Sequence, residues 1–403
     1  MDCWQRSSAR NEYEACDMTA ALISPTVLRW ARERARFDPD LLAEKTHVNP
    51  DKLLLWEEGE TKPTFKQAQD LAKALHIPFG FLFLPTPPEE TLPIPDLRTV
   101  GDHATGSLST DLLDLLADIL RKQDWYRDHL LEQGAEAVSF IGRFGLDASV
   151  AAIAADMTAT LGLTHADREE AKNWEAFLSL LMAKAEAAGV WVMRSGIVGS
   201  NTHRILDVQE FRCFAICDDI APLVFINGRD AKAAQIFTLA HELAHLWIGQ
   251  SGISDVSLAQ PANENHRRTE KLCNAVAAEV LVPQASLRDR WAGAESVEQN
   301  ATRLAGYYRV STVVIARRAF DLGLIEWPAY LAYYQRQVEH WRREKKGSGG
   351  DPYRTIPVRN GRRFTEAVVN SAFARSLLLR DAGRLLGVNP AKLGRLAQEI
   401  GIG

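Results

Sequence analysis

The sequence predicts a mostly helical α+β protein that contains one small sheet. Apolar residues recur at helical spacing through most of the 403 residues. Short runs of strand-forming residues occur only between about residues 190 and 227, and an apolar helical pattern follows them directly. The chain is too long for one typical hydrophobic core, so we expect two or three domains.

The composition excludes several classes of protein. A net charge of −5 argues against binding nucleic acid or membranes through the charge of the whole chain. No apolar run approaches the roughly 20 residues that cross a bilayer, and no signal peptide opens the chain. The five cysteines are an odd number, which indicates reduced thiols. We therefore expect a cytoplasmic protein that has no membrane partner, in which Cys213 and Cys217 are strand thiols.

Changes in composition predict the domain boundaries. We expect a loose tail over residues 1–24, in which Met1 and Met18 are both possible starts, and a helical domain of four or five helices over residues 25–84. A proline-rich linker follows over residues 85–110. The remaining segments are a larger domain with a helical lead-in (111–340), a basic linker (341–363) and a helical module (364–403).

The domain over residues 25–84 contains helices separated by tight turns. Asn49 and Pro50 form the start of a third helix, which Gly59 ends. This order, followed by W-E-x-G and P-T-F-x-Q-x-x-x-L-A, resembles the helix-turn-helix domains of the phage-repressor-like (XRE, Cro/C1-type) family. The resemblance implies that the third helix lies in the major groove of DNA.

The side chains of that third helix match DNA poorly. The candidate contacts are Asn49, Asp51, Lys52 and Lys62. The exposed positions we expect on the helix itself offer no Arg, Gln or Asn for a base edge; they are Asp51, Lys52, Leu54, Leu55, Glu57 and Glu58. Residues 26–84 carry nine Lys/Arg and nine Asp/Glu, without the usual basic excess. Two interpretations remain open: DNA binding, and a scaffold for dimerisation or for docking another protein.

Three strands precede the apolar helix of the central domain, at residues 190–194, 213–217 and 221–227. Helices, a small sheet and then an apolar helix that carries H-E-x-x-H, here residues 241–245, form the zincin arrangement, in which a peptide can add to a sheet edge. Our candidates for that edge are the strand that ends in Phe225, Ile226 and Asn227, and the strand over residues 211–217. The loop over residues 194–210 is a candidate lid or specificity loop.

The apolar helix contains the motif H-E-x-x-H. His241 and His245 are four residues apart, so they lie on one helical face and can both reach a zinc ion at about 2.0–2.1 Å. Glu242 is placed to take a proton from a water at the metal. We expect Asp230 to open this helix, which then runs over residues 231–249 and ends at Gly249.

The third zinc ligand has several candidates after His245, namely Asp255, Glu264, His266, Glu270 and Glu279. Glu270 starts a core helix, and a carboxylate from a second helix is the gluzincin solution for zinc. Asn274 lies one turn after Glu270 and can hydrogen-bond a ligand from outside the coordination sphere. The residues alone leave Glu264 and His266 as the next alternatives.

Together, H-E-L-A-H-L and E-x-x-C-N-x-V-A-A-E-x-L-V-P resemble the ImmA/IrrE metallopeptidase family over residues 170–325. The resemblance implies a zinc endopeptidase whose ligands are His241, His245 and Glu270 and whose catalytic base is Glu242. Cys273 and Val276 depart from the usual Ala and Phe, as packing changes. The resemblance also implies a protein substrate, such as a transcriptional repressor that controls a stress response or a mobile element.

Another class of function remains open: a transcriptional regulator or antitoxin-like protein that binds DNA or a partner and whose zinc site is structural or vestigial. A partner encoded by a neighbouring gene and a homodimer are further expectations.

Tyr307 and Tyr308 fit aromatic packing better than oxyanion binding. Residues 342–363 carry eight Lys/Arg and two Asp/Glu. The sequence of residues 388–393, V-N-P-A-K-L, repeats that of residues 48–53, V-N-P-D-K-L, with one difference. The basic segment is either a solvated linker or a contact for nucleic acid or an acidic partner. The repeated segment is either a second example of a good helix start or part of a second, more basic helix-turn-helix-like unit.

Overall fold

The computed structural model describes residues 20–89, 109–231, 234–254, 264–343 and 352–402. The chain divides into two compact units, Met1–Pro93 with Ala104–Asp114 and Ile94–His103 with Leu115–Gly403. Most of the expected tail, most of the proline-rich linker, Asp255 and residues 344–351 of the basic linker lie outside the described residues. The protein is a mostly helical α+β protein with one small sheet, as the sequence predicts.

The N-terminal unit contains four short helices and a 3-10 turn. The helices are α1 (Pro25–Arg34), α2 (Pro39–Thr46), α3 (Pro50–Glu58) and α4 (Phe65–Ala74), and the turn is Phe79–Phe83. The side chains of Asp38, Asn49 and Thr64 accept backbone N–H groups at the starts of α2, α3 and α4. Helix α2 ends in the left-handed residue His47 (φ 55°), which turns the chain into α3.

One residue of α3 is placed differently from our expectation. Glu57, expected at the surface, is only 4% exposed. Its carboxylate receives two hydrogen bonds from Arg32 of α1, from Nε at 2.6 Å and from Nη2 at 2.9 Å. A bidentate guanidinium compensates the cost of burying the carboxylate. Helix α3 therefore uses one of its acidic residues to hold α1, which sequence periodicity does not reveal.

The larger unit surrounds the sheet with helices. Its elements up to residue 343 are α5 (Thr110–Glu132), α6 (Val150–Thr160), α7 (His165–Glu170), α8 (Trp174–Ala187), β1 (Trp191–Ser195), β2 (Cys213–Ile216), β3 (Leu223–Asn227), α9 (Gln235–Trp247), β4 (Gly252–Ser254), α10 (Glu264–Leu281), α11 (Gln284–Arg290), α12 (Val297–Tyr308), α13 (Thr312–Asp321) and α14 (Trp327–Arg343). One continuous core joins β1, β2 and β3 to helices α6 and α8–α14, and within it the rings of Phe140 and Trp247 stack at 3.9 Å.

The four strands lie in the order β1-β3-β2-β4, with β1 parallel to β3 and β2 antiparallel to both of its neighbours. Our two candidates for a substrate edge are therefore wrong, because β3 and β2 are the inner strands. Phe225, Ile226 and Asn227 are fully buried and pair with β1 on one side. On the other side Phe225 and Ile226 pair with β2, and Asn227 donates its N–H to the carbonyl of Arg212 just before β2. Their backbone groups are already used, so no peptide can add there. The edges are β1 and the three-residue β4.

The C-terminal module, residues 352–402, contains α15 (Pro352–Asn360), α16 (Arg362–Phe373), α17 (Leu379–Leu386), a 3-10 turn (Pro390–Lys392) and α18 (Leu393–Ile400). It covers the β1 edge of the sheet. Trp191 of β1 stacks on Phe364 at 4.6 Å and donates its indole N–H to the carbonyl of Asn360. Gly361 has φ 82°, and a Cβ there would lie 2.6 Å from the Trp191 ring. The close approach of the module to β1 therefore requires glycine at this position.

Among the helices that the structure describes, none is long and apolar enough to cross a membrane.

Candidate metal centre

Helix α9 is buried along almost its whole length, because apolar residues surround its two histidines. The helix begins at Gln235, later than we expected, and Asp230 does not cap it. The Asp230 carboxylate instead accepts the N–H of Ala231 in the preceding turn. Gly249 (φ 69°) follows the end of the helix, and a Cβ there would lie 2.9 Å from Cα of Gly142. A buried helix with tight contacts at its end holds its side chains in defined positions.

Three side chains from two helices meet at one point. His241 and His245 of α9 have their Nε2 atoms 3.1 Å apart. Glu270 of α10 places Oε2 3.2 Å from Nε2 of His241 and Oε1 3.2 Å from Nε2 of His245. Both histidines are 1% exposed, so the cluster is sheltered from solvent. The structure thus brings together the three residues that the sequence comparison implied as ligands.

The other third-ligand candidates have different positions. Glu279 pairs with the guanidinium of Arg318 and accepts the backbone N–H of Gln284. Asp255 lies outside the described residues, and so do the side chains of Glu264 and His266. Helix α10 begins at Glu264, so Glu270 lies inside the helix and not at its start as we expected. An interior position fixes the Glu270 side chain more firmly than a helix end would.

The spacing of the three ligand atoms fits zinc. Donors about 2.0–2.1 Å from one ion in tetrahedral geometry lie about 3.3 Å from each other. The measured separations of 3.1 and 3.2 Å match this value, and two imidazoles with one carboxylate are a known catalytic set. Within the described residues, no fourth His, Cys, Asp or Glu joins this group. Three protein ligands leave one position of a tetrahedral ion open.

Glu242 lies beside the cluster without joining it. Its side chain is fully buried, and its Oε1 is 4.0 Å from Nε2 of His241. Oε1 accepts a hydrogen bond at 2.7 Å from the thiol of Cys213 on β2, whereas Oε2 is buried without a hydrogen-bond partner among the described residues. A buried carboxylate oxygen with an unused lone pair can accept a proton from a bound molecule.

Cys213 is the site residue that the sequence did not reveal. We read it correctly as a strand thiol, but alternation cannot show that β2 passes directly behind α9. Burial raises the pKa of this thiol, and the charge and hydrogen bond of Glu242 raise it further. Cys213 is therefore a neutral hydrogen-bond donor to the Glu242 carboxylate.

Glu270 and His241 stabilise each other's ionised forms. Burial opposes the ionised form of Glu270, but hydrogen bonds and charges from His241 and His245 outweigh burial and lower the pKa of Glu270. Burial likewise opposes a charge on His241, but Glu270 raises the pKa of His241, with a smaller contribution from a hydrogen bond to Asn274. The role of Asn274 as a hydrogen-bond partner of a metal ligand stays a prediction. Burial raises the pKa of Glu242, against the lowering effect of the two histidines.

A buried arginine holds the helix that carries Glu270. Arg168 donates to the carbonyls of Val280 and Leu281 at 2.8 Å each, and to that of Tyr308 at 3.1 Å. Val280 and Leu281 form the end of α10, where carbonyl groups lack partners within the helix. Arg168 therefore caps α10 and fixes the helix against α12.

Other residues that the sequence singled out lie away from the cluster. The hydroxyl of Tyr308 contacts Ser286 at 2.7 Å, and that of Tyr307 contacts His165 at 2.9 Å, so both belong to the packing around α12. In the candidate lid, Ser200 donates its hydroxyl to the carbonyl of Gly387 in the C-terminal module. This part of the loop therefore contacts the module.

The four candidate DNA contacts lie in the N-terminal unit. Asn49 uses its side-chain oxygen to cap α3, and Asp51 is exposed beside it. Lys52 extends over the ring of Trp56 at 5.6 Å, and Lys62 is exposed after the helix. Of these four candidates, Asn49 already bonds the backbone through its side chain, and only Lys52 and Lys62 are positively charged.

Comparison with known families gives two matches. Residues 185–320 match the family model Peptidase_M78, described as the IrrE N-terminal-like domain, which supports a metallopeptidase type of function. The matched segment runs from the end of α8 to α13 and contains His241, Glu242, His245 and Glu270. Residues 360–399 match a domain of unknown function (DUF8813). No curated protein and no solved structure gives a significant match.

Proposed function

We propose that this chain is a zinc-dependent endopeptidase, similar to the IrrE-like peptidases, that cleaves a regulatory protein such as a transcriptional repressor. The observation that carries the proposal is the group of His241, His245 and Glu270 with the Glu242 carboxylate beside it. Three ligands without a fourth, among the described residues, fit a catalytic zinc site better than a structural one.

Each residue of the centre has a role in peptide hydrolysis. His241, His245 and Glu270 would hold the metal, and a bound zinc ion polarises the scissile carbonyl and lowers the pKa of water toward about 7. Glu242 accepts the proton of the attacking water and delivers it to the leaving amine. Cys213 holds one oxygen of Glu242, which directs the other toward the reacting molecule.

The sheet offers one edge for an extended peptide. The outer side of β4 pairs with no strand in the described part of the chain, whereas the C-terminal module covers β1. Ser254 of β4 pairs with Cys213, the residue that contacts Glu242, so β4 is one strand away from the catalytic carboxylate. We propose that substrate adds beside β4 as a further strand. The N-terminal unit then serves as a helix-turn-helix domain that docks on DNA or on a protein.

The test compares cells that carry the wild type and Glu242→Gln by sequencing of new protein N-termini. Glutamine has the same size but cannot accept the proton, so we expect zinc content to remain near one ion per chain and the wild-type cleavages to disappear. Asp289→Asn, an exposed change on α11, is the matched control and should leave the cleavages unchanged. Identical N-termini in wild type and Glu242→Gln would reject the enzyme and favour a regulator with a structural or vestigial zinc site.

A further inference from the structure

The C-terminal module repeats the local geometry of the N-terminal helix-turn-helix candidate. Helix α17 ends in the left-handed Gly387 (φ 64°), and Asn389 then accepts the N–H of Ala391 at 2.9 Å. Helix α2 ends in the left-handed His47, and Asn49 accepts the N–H of Asp51 at 2.8 Å. The sequence repeat over residues 388–393 is therefore also a structural repeat of helix, turn and helix.

The helices of the repeated unit are held by buried apolar side chains. Helix α16 contributes Phe364 and Val368, and the helices on either side of the turn contribute Leu386, Leu393 and Leu396. All five side chains are fully buried. The arrangement of α17 and α18 is thus supported by packing, and it presents a defined outer surface.

The charge of the module is opposite to that of the chain. Residues 352–402 carry nine Lys/Arg and three Asp/Glu, although the whole chain has a net charge of −5. In the N-terminal segment over residues 26–84 the two signs are equal. Neutralisation of phosphates supplies most of the affinity of proteins for DNA. By charge, the C-terminal module is therefore better suited to bind DNA than the N-terminal segment is.

The exposed faces of the two second helices also differ in kind. Around α18, Lys392, Arg395 and Gln398 are exposed, and these residue types bind phosphates or fork onto base edges. One acidic residue, Glu399, is exposed beside them. On α3 the exposed residues are Asp51, Lys52, Leu54 and Glu58, of which two would repel phosphates. Only α18 therefore combines basic and amide side chains on one face.

The first helix of the repeat adds further positive charge. Arg380 and Arg384 are exposed one turn apart on α17. Together with Lys122 and Arg359 they line a cavity of about 570 Å³. The one carboxylate in its lining, Asp118, is paired with Lys122 at 2.8 Å, and Asp381 on α17 pairs with Arg380 at 3.2 Å. The positive field around α17 is thus only partly neutralised.

We infer that the C-terminal module binds duplex DNA, with α18 toward the major groove and Arg380 and Arg384 on the phosphate backbone. In helix-turn-helix proteins the second helix enters the groove and the first crosses the backbone, which matches the distribution of these side chains. Charge complementarity favours a nucleic acid as the partner. DNA contact then lies at the C-terminal end and not in the N-terminal unit, where the sequence resemblance implied it, and the N-terminal unit keeps the role of docking on a protein.

The experiment measures fluorescence anisotropy of a labelled mixed-sequence duplex of about 30 base pairs, with the full chain in 50–200 mM salt. Each phosphate contact contributes about 0.9 to the slope of log Kobs against log salt. We expect the double variant Arg380→Gln/Arg384→Gln to reduce the magnitude of this slope by about 1.8 and to weaken binding at 50 mM salt at least tenfold. Both positions are exposed, so circular dichroism should show an unchanged fold.

The matched control is Lys52→Gln/Lys62→Gln, which removes the same charge from the N-terminal unit and should leave the slope unchanged. Loss of binding in this control, with normal binding by the α17 variant, would overturn the inference and return DNA contact to α3. Absence of an anisotropy change up to about 100 µM protein at 50 mM salt would also overturn it, since non-specific affinities lie at about 10⁻⁴–10⁻⁶ M even at physiological salt. Retention on heparin without duplex binding would assign the surface to an acidic protein.

Discussion

Glu186 makes the stability of the protein depend on pH at the place where the C-terminal module joins the sheet. This residue lies in the last turn of α8, is 8% exposed and accepts the backbone N–H of Arg362 at 2.9 Å. Burial raises the pKa of Glu186 to about 7, and hydrogen bonds from the backbone of Arg362 and Arg363 counteract only part of this effect. The carboxyl group is therefore neutral in the folded state at pH values where the unfolded chain ionises it.

The magnitude follows from the two pKa values. Below pH 4.5 the Glu186 carboxyl group is protonated in both states, so it adds no pH dependence to the free energy of unfolding. Between pH 4.5 and about 7 the folded state holds a proton that the unfolded state has lost, so stability falls as the pH rises. Above pH 7 both states are ionised, and the loss reaches roughly 3 kcal/mol, at about 1.36 kcal/mol for each pKa unit.

Glu186→Gln tests this reasoning, because glutamine has the same shape and still accepts the N–H of Arg362 without a charge. Urea unfolding at pH 5 and pH 8, followed by circular dichroism, gives the free energies. We expect the variant to be more stable than the wild type by about 1 kcal/mol at pH 5 and by about 3 kcal/mol at pH 8. Glu170→Gln, an exposed change on α7, should alter neither value. A variant with the same pH dependence as the wild type would refute the argument.

Two further predictions concern the metal centre. Glu270→Ala removes one of three ligands, so zinc measured by atomic emission should fall from about one ion per chain to a small fraction, whereas Glu279→Ala on the same helix should retain it; equal zinc in both variants would place the third ligand elsewhere. Cys213→Ala removes the donor to Glu242 and should lower kcat/KM on the identified substrate by about 10–100-fold with zinc retained, because a hydrogen bond to a charged group contributes about 1.5–3 kcal/mol. Cys213→Ser should restore most of the activity, and an Ala variant as active as the wild type would remove Cys213 from the positioning of Glu242.

Local features of the chain could be predicted from the sequence because they depend on residues close in sequence. Asn49 and Pro50 start α3, Gly249 follows α9, and the motif places His241 and His245 on one helical face. Capping, proline geometry and helical periodicity act over four residues or fewer. The mostly helical α+β class follows from the same signals.

Errors arose where a residue's role depends on a distant part of the chain. Asp230 has the chemistry of a cap, but the helix begins five residues later, at Gln235. Glu57 has the chemistry of a surface residue, but Arg32, 25 residues away, draws it into the core. Phe225 and its neighbours were placed at a sheet edge because alternation identifies a strand and says nothing about which strands lie beside it.

The sequence by itself determined the helices, the existence of a small sheet, and a pair of histidines on one helical face beside a carboxylate. Only the tertiary structure decided that Glu270 approaches both histidines to 3.2 Å, that Cys213 donates to Glu242, and that β4 and not β2 or β3 is an edge strand of the described sheet. The physical reason is range: backbone hydrogen bonds and caps are set by near neighbours, whereas the strand order and the approach of α10 to α9 result from burying apolar surface contributed by the whole chain.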